Sequence, residues 1–414
     1  MKKHPRILLA LAGTAAAITV ASCSVTAATY EKGNPVKVGL ICLHDTNSTY
    51  DKNFIDGMNL AATHLKATNR INGDPIIKTD VAENNDCYTA AKDLVKQGCN
   101  VIFADSFGHE EFMLKAAKEW PTVTFCHATG TKAKVSDVAN YHNAFASIYE
   151  GRFLAGAAAG LKLQKMIDAD EIDEEKNMRD GNIILGYIGA YPYAEVISGY
   201  TSWFLGVKAI VPNIVMDVTF TESWYSVEKE QAAATMLYNR GAALISQHAD
   251  SMGAPGECAK NHVPNVTYNI PTPEYNTYVA FSRINWTPYY ETVVNSMFEG
   301  KAIQGEVNNN WTGTIGTGSV EYGVAENTSE ADKLVLQGLE AELIAGTRKV
   351  FDCATFTVNG EHLTSYKADV DDMGDYVPET QVIKHEGDKY FFDESALRSA
   401  PYFDINIDGI TTLG

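Results

Sequence analysis

The chain has 414 residues, 45% of them hydrophobic, and carries a formal net charge of −19. So acidic a surface excludes the basic footprint that nucleic-acid phosphates require, and it gives an anionic membrane face nothing to bind. The length accommodates two domains of ordinary size, each with its own core.

At the amino end, Lys2, Lys3 and Arg6 precede an apolar run from Ile7 to Val20, and small residues lead on to Cys23. A run of about fourteen residues is too short for a permanent membrane helix; charge, apolar core and small-residue cleavage site in that order read as a secretory signal. Val20-Ala21-Ser22-Cys23 resembles a bacterial lipobox, which implies that Cys23 is diacylated and heads the mature chain. Residues 1–22 are therefore expected to act as a lipoprotein signal peptide and residues 23–35 as a lipidated linker. The protein is expected to be exported and held at the outer face of the cell membrane, or its periplasmic side, by the lipid anchor alone.

Val36 to Leu43 is nearly continuous in apolar and β-branched residues, the pattern of a buried parallel strand. Helical spacing follows from Tyr50 to Thr68, then a strand from Pro75 to Val81, a helix from Cys87 to Gly98, and a strand from Asn100 to Ala104. A helix from Glu110 to Glu119 and a strand from Val123 to Cys126 complete the series. The alternation restarts after a small-residue helix at Gly151 to Met166, with Asn182 to Gly189 as its first strand. Helix Ala194 to Val211, strand Ile214 to Thr219, helix Glu228 to Arg240 and strand Ala243 to Gln247 follow. Two α/β units in tandem predict two doubly wound parallel-sheet lobes facing each other across a cleft. The expected division is lobe 1 at 36–146 with 279–308, lobe 2 at 147–278 with 309–360, and an acidic extension at 361–414 packing on lobe 2.

Besides Cys23 the cysteines are Cys42, Cys87, Cys99, Cys126, Cys258 and Cys353. Cys42 and Cys126 lie in apolar strand-like runs, where cysteine serves as a small buried hydrophobe; a Cys87–Cys99 bridge stays open. No Cys-x-x-Cys pair or histidine cluster has metal spacing, so neither metal nor other cofactor is expected.

Strand ends identify the candidate site, because ligands bind beyond the carboxyl ends of parallel strands. They supply Tyr50, Asp51 and Phe54 after the first strand, Asp105, Ser106 and Phe107 after the third, and Asn143 further on. The second series supplies Tyr191, Trp224, His248, Asp250 and Ser251, and the segment after Pro271 supplies Trp286 and Tyr289. Aromatic rings can sandwich a planar heterocycle while carboxylate and amide groups pair with its edge. Asp51 and Asp86 equally suit helix N-caps.

Tyr50-Asp51-Lys52-Asn53-Phe54 resembles the Asp-Lys-Ser-Phe-Asn motif of the basic membrane protein family, solute-binding lipoproteins of ABC transporters that include purine nucleoside receptors. Tyr149 to Gly156 is similar to the family's Glu-Gly-x-Phe-Leu-Ala-Gly helix start. Gln247 to Ser251 and Asn285 to Tyr290 look like its adenine-type branch. The resemblance spans roughly residues 36 to 350. It implies a type I periplasmic binding protein fold, with the lobes joined by a three-strand hinge, and partners in an ABC permease and ATPase. Nucleoside-binding members carry an aspartate and a lysine near the third crossing, where this chain reads Phe281-Ser282-Arg283-Ile284-Asn285-Trp286. A free adenine-like base is therefore expected rather than a nucleoside, with Trp224 and Phe54 or Trp286 stacking and Asn143, Asp105 and Asp250 at the ring edge. Riboflavin or another flat heterocycle is the alternative ligand, and a surface adhesin the alternative class. Ser106 with His109, and Ser251 with His248, lack a nucleophile elbow and an orienting third group, so no enzyme is expected. The expectation is a monomeric receptor that closes on its ligand.

Overall fold

The computed structural model describes residues 30–303, 309–370 and 378–413; the expected signal peptide and Cys23 lie outside the described residues. Lobe 1 alternates Val38–Ile41 (β1), Thr49–Ala67 (α1), Ile76–Lys78 (β2), Asn85–Lys96 (α2), Val101–Ala104 (β3), Glu110–Glu119 (α3), Thr124–Ala128 (β4) and Tyr141–Ala146 (β5). Ile148–Asp168 (α4) then leads into lobe 2. There follow Asn182–Gly189 (β6), Ala194–Lys208 (α5), Ile214–Phe220 (β7), Val227–Asn239 (α6), Leu244–His248 (β8), Gly253–Lys260 (α7), Asn265–Tyr268 (β9) and Tyr278–Ile284 (β10). The chain returns through Thr287–Phe298 (α8) and Asn310–Gly313 (β11), then runs through Val320–Val324 (β12), Glu330–Ile344 (α9) and finally Ile410–Thr412 (β13).

The first sheet has six parallel strands in the order β2-β1-β3-β4-β5-β11. The path through the second is β13-β7-β6-β8-β9-β10-β12, parallel except where β12 runs against β10. Every residue of β1 and β3 is buried, as strands covered on both faces must be. In both lobes the winding reverses between the first and third strands, and at that point neighbouring loops part to leave a crevice.

Helix ends follow local chemistry. Ser48 caps α1, accepting from Asp51 N at 3.3 Å and donating its hydroxyl to Asp51 Oδ2 at 2.6 Å. Asn84 caps α2 by accepting from Asp86 N at 2.7 Å. The aspartates expected as caps thus sit inside the first turn, where carboxylates suit the helix dipole. The helices α4 and α5 pack almost backbone to backbone. A Cβ on Gly156 would lie 2.1 Å from Trp203 O, and one on Gly206 2.1 Å from Phe153 O, so only glycine permits the approach.

Three segments cross between lobes. Ser147 N bonds Gly313 O at 2.8 Å, Asn285 N bonds Ser319 O at 2.9 Å, and Ile315 N donates to Glu150 Oε2 at 2.9 Å. The expected boundaries shift here. Residues 278–284 pair with β9 and β12 in the second sheet, so the return to lobe 1 starts after Ile284 and not at 279. Conversely, Asn310–Gly313 pairs with β5 in the first sheet, and not with lobe 2 as expected for 309–360. Such partners lie far away in sequence, and a strand's apolar pattern does not name its neighbour.

The carboxyl-terminal segment does more than cover lobe 2. β13 extends the second sheet beside β7, and Ser198 Oγ donates to Glu394 at 2.7 Å. Ser399 Oγ also donates to Asn310 in the first sheet at 3.0 Å, while Ser395 meets Ser147 at the first crossing at 3.1 Å. The segment therefore grips both lobes. All six cysteines of the described residues are free and buried, Cys87 and Cys99 included.

Candidate functional site

The crevices at the two switch points face each other and enclose one cleft. It is lined from lobe 1 by Leu43, His44, Tyr50, Asp51, Ser106, Phe107 and Thr129, and from lobe 2 by Glu195, Trp224, His248, Asp250 and Tyr268. The lobes are closed upon it. Thr49 N reaches across to Asp250 O at 2.8 Å, His44 lies 5.7 Å from Tyr225 between ring centres, and Phe107 lies 5.7 Å from Tyr193. With the lobes closed, the cavity left between them is about 20 Å³.

Each wall is built by a strand end. After β1, Asp51 accepts from His44 N at 2.8 Å and folds the loop over the helix start. After β3, Glu83 pins the turn by accepting from Ser106 Oγ at 2.6 Å and Gly108 N at 2.7 Å. Asp105 accepts from Leu43 N at 3.1 Å through Oδ1, while its buried Oδ2 has no protein partner among the described residues. Burial and then the neighbouring Asp51 charge push the Asp105 carboxyl well above its usual range. Trp224 is met by Tyr191 at 5.3 Å and Tyr193 at 6.1 Å, an aromatic group on the rim. Asp250 N donates to Trp224 O at 2.9 Å, so the loops after β7 and β8 hold each other. Burial pushes Asp250 up as well, helped by Glu230; Glu195 is pushed up to about 7 by burial, and His248 is driven well below its usual range, first by burial and then by Arg152.

Seven of the expected residues thus line the cleft: Tyr50, Asp51, Ser106, Phe107, Trp224, His248 and Asp250. Asp105 lies directly behind it, with Tyr50 Oη donating to its carbonyl at 3.0 Å. Others stand elsewhere. Phe54 and Trp286 stack on each other at 4.2 Å within the hydrophobic core, and Tyr289 packs against Trp311 at 4.9 Å. Buried among apolar side chains, these three rings are not free to stack on a ligand. Asn143 is a brace: its carbonyl accepts from Ala133 N at 2.7 Å and its amide donates to Glu110 at 3.2 Å, fixing the loop that carries Thr129. Ser251 Oγ accepts from Gly253 N at 3.0 Å and starts α7.

The cleft residues Leu43, Thr129, Glu195 and Tyr268 escaped the sequence reading. Tyr268 ends β9, a four-residue strand unrecognised in the sequence; the strand-end rule finds it once that strand is known. Cys42, Asp51 and Asp105 bring donor atoms within 4.8 Å of one another. Both Asp51 oxygens are occupied by His44 N and Ser48 Oγ, so this cluster serves the loop rather than forming an open ligand set. The first serine–histidine pair is engaged elsewhere, Ser106 bonded to Glu83 and His109 Nε2 to Val81 O at 2.8 Å.

Two facing doubly wound lobes, three crossings and a cleft at both switch points define a type I periplasmic binding protein fold. Solved solute-binding proteins share it: one from Aeropyrum pernix K1 superposes with a TM-score of 0.60 at 12% identity, covering 79% of this chain and 95% of that one. Another, from Conexibacter woesei DSM 14684, gives 0.57 at 18% identity over 76% and 98%. The profile of the Bmp family, described as ABC transporter substrate-binding protein PnrA-like, matches residues 38–265. The chain belongs to this family and is an ABC transporter substrate-binding protein. A purine-binding protein of Brucella abortus (strain 2308) is 29% identical over 288 residues, 67% of this chain and 74% of the relative. A putative ABC transporter glucose-binding protein of Haloferax volcanii is 25% identical over 248 residues, 59% of this chain and 56% of its own. Proteins of this class capture small molecules outside the cytoplasm for a permease and ATPase, and no described helix is long and apolar enough to cross a membrane.

Proposed function

We propose that the protein captures a purine, as a free adenine-like base rather than a nucleoside, and that the ligand stabilises the closed lobes for recognition by the permease. The observation that carries this reading is the composition of the cleft. Tyr50, Phe107, Trp224 and Tyr268 bring aromatic rings to it, while Asp250 and Glu195 bring carboxylates for the edge of a flat, donor-bearing ring. Similarity to a purine-binding relative supports the same class. At the third crossing, Arg283 is engaged by Glu321 at 2.7 Å and Asn285 donates to Gly318 O, so both side chains are committed to partners within the crossing. The lipobox-like Cys23 would keep the receptor beside its transporter as a lipid-anchored monomer. Calorimetric titration with adenine, adenosine and ribose is the test. Adenine is expected to bind tightest; tighter adenosine overturns the free-base reading.

A further inference from the structure

Thr129, the residue that follows β4, stands at φ +65°, in the left-handed region. The other non-glycine residues of positive φ among those described are Asn, Asp, Glu or His. Thr129 alone is β-branched, and a branched Cβ makes this backbone costly. Lobe 2 supplies the comparison. β9 is the fourth strand of its lobe, as β4 is of lobe 1, and it too is followed by a left-handed residue, Asn269 at φ +70°. Asparagine takes this conformation readily, whereas lobe 1 keeps threonine there in spite of the strain. A buried brace holds the loop in place. At the start of α3, Glu110 Oε1 accepts from Thr131 N at 2.7 Å, Lys132 N at 2.8 Å and Tyr141 Oη at 3.1 Å, besides the Asn143 amide. Thr129 N donates to Ala144 O at 3.2 Å, and a Cβ on Gly130 would lie 2.1 Å from Asn143 Nδ2, so the loop lies directly on the brace.

Thr129 lines the cleft and is only 5% exposed, and its Oγ1 is buried without a partner among the described residues. Lobe 1 brings two other hydroxyls to the cleft, but that of Tyr50 donates to Asp105 O and that of Ser106 to Glu83. Lobe 2 answers with Glu195, Asp250 and Tyr268, the last with the Arg152 guanidinium 3.5 Å behind the centre of its ring. We infer that Thr129 is a ligand contact that selects among ring systems: its hydroxyl donates a hydrogen bond to a ring nitrogen of the bound purine. The inference rests on the purine reading above. A ring nitrogen carries a lone pair, and burying it without a donor is costly. Of the three hydroxyls that lobe 1 presents, that of Thr129 is uncommitted, and its strained backbone is what brings it there.

The test is a double-mutant cycle read by calorimetry. The parent and Thr129→Val, which keeps the shape and removes the hydroxyl, are each titrated with adenine and with its 1-deaza, 3-deaza and 7-deaza analogues. Each analogue replaces one ring nitrogen by C–H. Thr129→Val is expected to bind adenine about 3- to 10-fold more weakly, the range for one net hydrogen bond, while Thr129→Ser stays near the parent. One analogue is expected to bind the parent and Thr129→Val alike, because the donor and the missing acceptor belong to the same bond. Parental affinity of Thr129→Val for adenine overturns the inference. So does a loss of equal size for all four compounds, the signature of altered packing alone. If the parent binds none of the four, the purine reading fails and the ring-nitrogen contact falls with it; failure of the contact alone leaves adenine binding equal in parent and variant. Should Thr129→Val not fold, Thr129→Ala also lacks the hydroxyl and carries the same expectations.

Discussion

Individual side chains show how far residue type alone leads. Trp224 and Trp286 are alike in chemistry, and both stand near strand ends. Trp224 lines the cleft with Tyr191 and Tyr193 beside it, whereas Trp286 is 1% exposed and stacked on Phe54. The difference comes from the third crossing, whose path puts Trp286 against α1. Replacing Trp224 by Ala is expected to weaken ligand binding by about 1–3 kcal/mol, the range for removing an aromatic platform, while leaving the fold intact. Calorimetry on the variant checks this, and parental affinity removes Trp224 from the site. The carboxylates divide in the same manner. Asp51 was legible as a helix-start residue from its neighbours, but that it also ties down His44 depends on the loop's return over α1.

At the scale of elements, the first strands of both lobes were legible because a strand covered on both faces reads as unbroken apolar sequence. β9 was not, since its Asn265 and Thr267 interrupt that run while being buried themselves. The helix pair α4 and α5 makes the sharper lesson. The Glu-Gly-x-Phe-Leu-Ala-Gly start was recognisable as a motif, and its packing gives the reason: Gly156 lets Trp203 O approach, and Gly206 accepts Phe153 O in return. Gly206→Val should therefore cost about 1–3 kcal/mol of stability through overpacking against backbone that cannot yield. Gly338→Ala in α9 is the control, with nothing within 4 Å of the added methyl and an expected gain of about 0.5–1 kcal/mol. Thermal melts of the two variants decide it; equal melting temperatures would show that α4 and α5 are not as closely apposed as described.

For the whole molecule, buried ionisable groups make stability depend on pH. Burial pushes Glu150, Glu195, Glu230 and Glu394 up to about 7, and His109, His127 and His142 down to about 4. A raised carboxyl retains in the folded state a proton that the unfolded chain has released, so its contribution is full below the unfolded value of 4.5 and is lost as pH rises through 7. The lowered histidines carry the opposite sign, losing stability as pH falls from 6.5 toward 4. Between about pH 4.5 and 6.5 the two groups offset each other; above 6.5 the unfolded histidines lose their remaining charge and the carboxyl effect comes to dominate. The melting temperature of the ligand-free protein is thus expected to fall from pH 6.5 to 8. Glu394→Gln should make that fall shallower, and a level or rising profile contradicts the assignment. Glu394 belongs to the carboxyl-terminal segment that grips both lobes, so this readout also reports on the brace across the hinge.

By itself the sequence determined the two α/β series, the facing lobes and the strand ends that should carry the site. Those features follow from local apolar periodicity and from the rule that parallel strands open at their carboxyl ends. Only the tertiary structure decided which sheet receives β10 and β11, which aromatics face the cleft and which the core, and that Arg152 stands behind its wall. These depend on contacts between residues remote in the chain, such as Asn310 with Asn143 or Arg152 with Tyr268, which neither composition nor periodicity encodes.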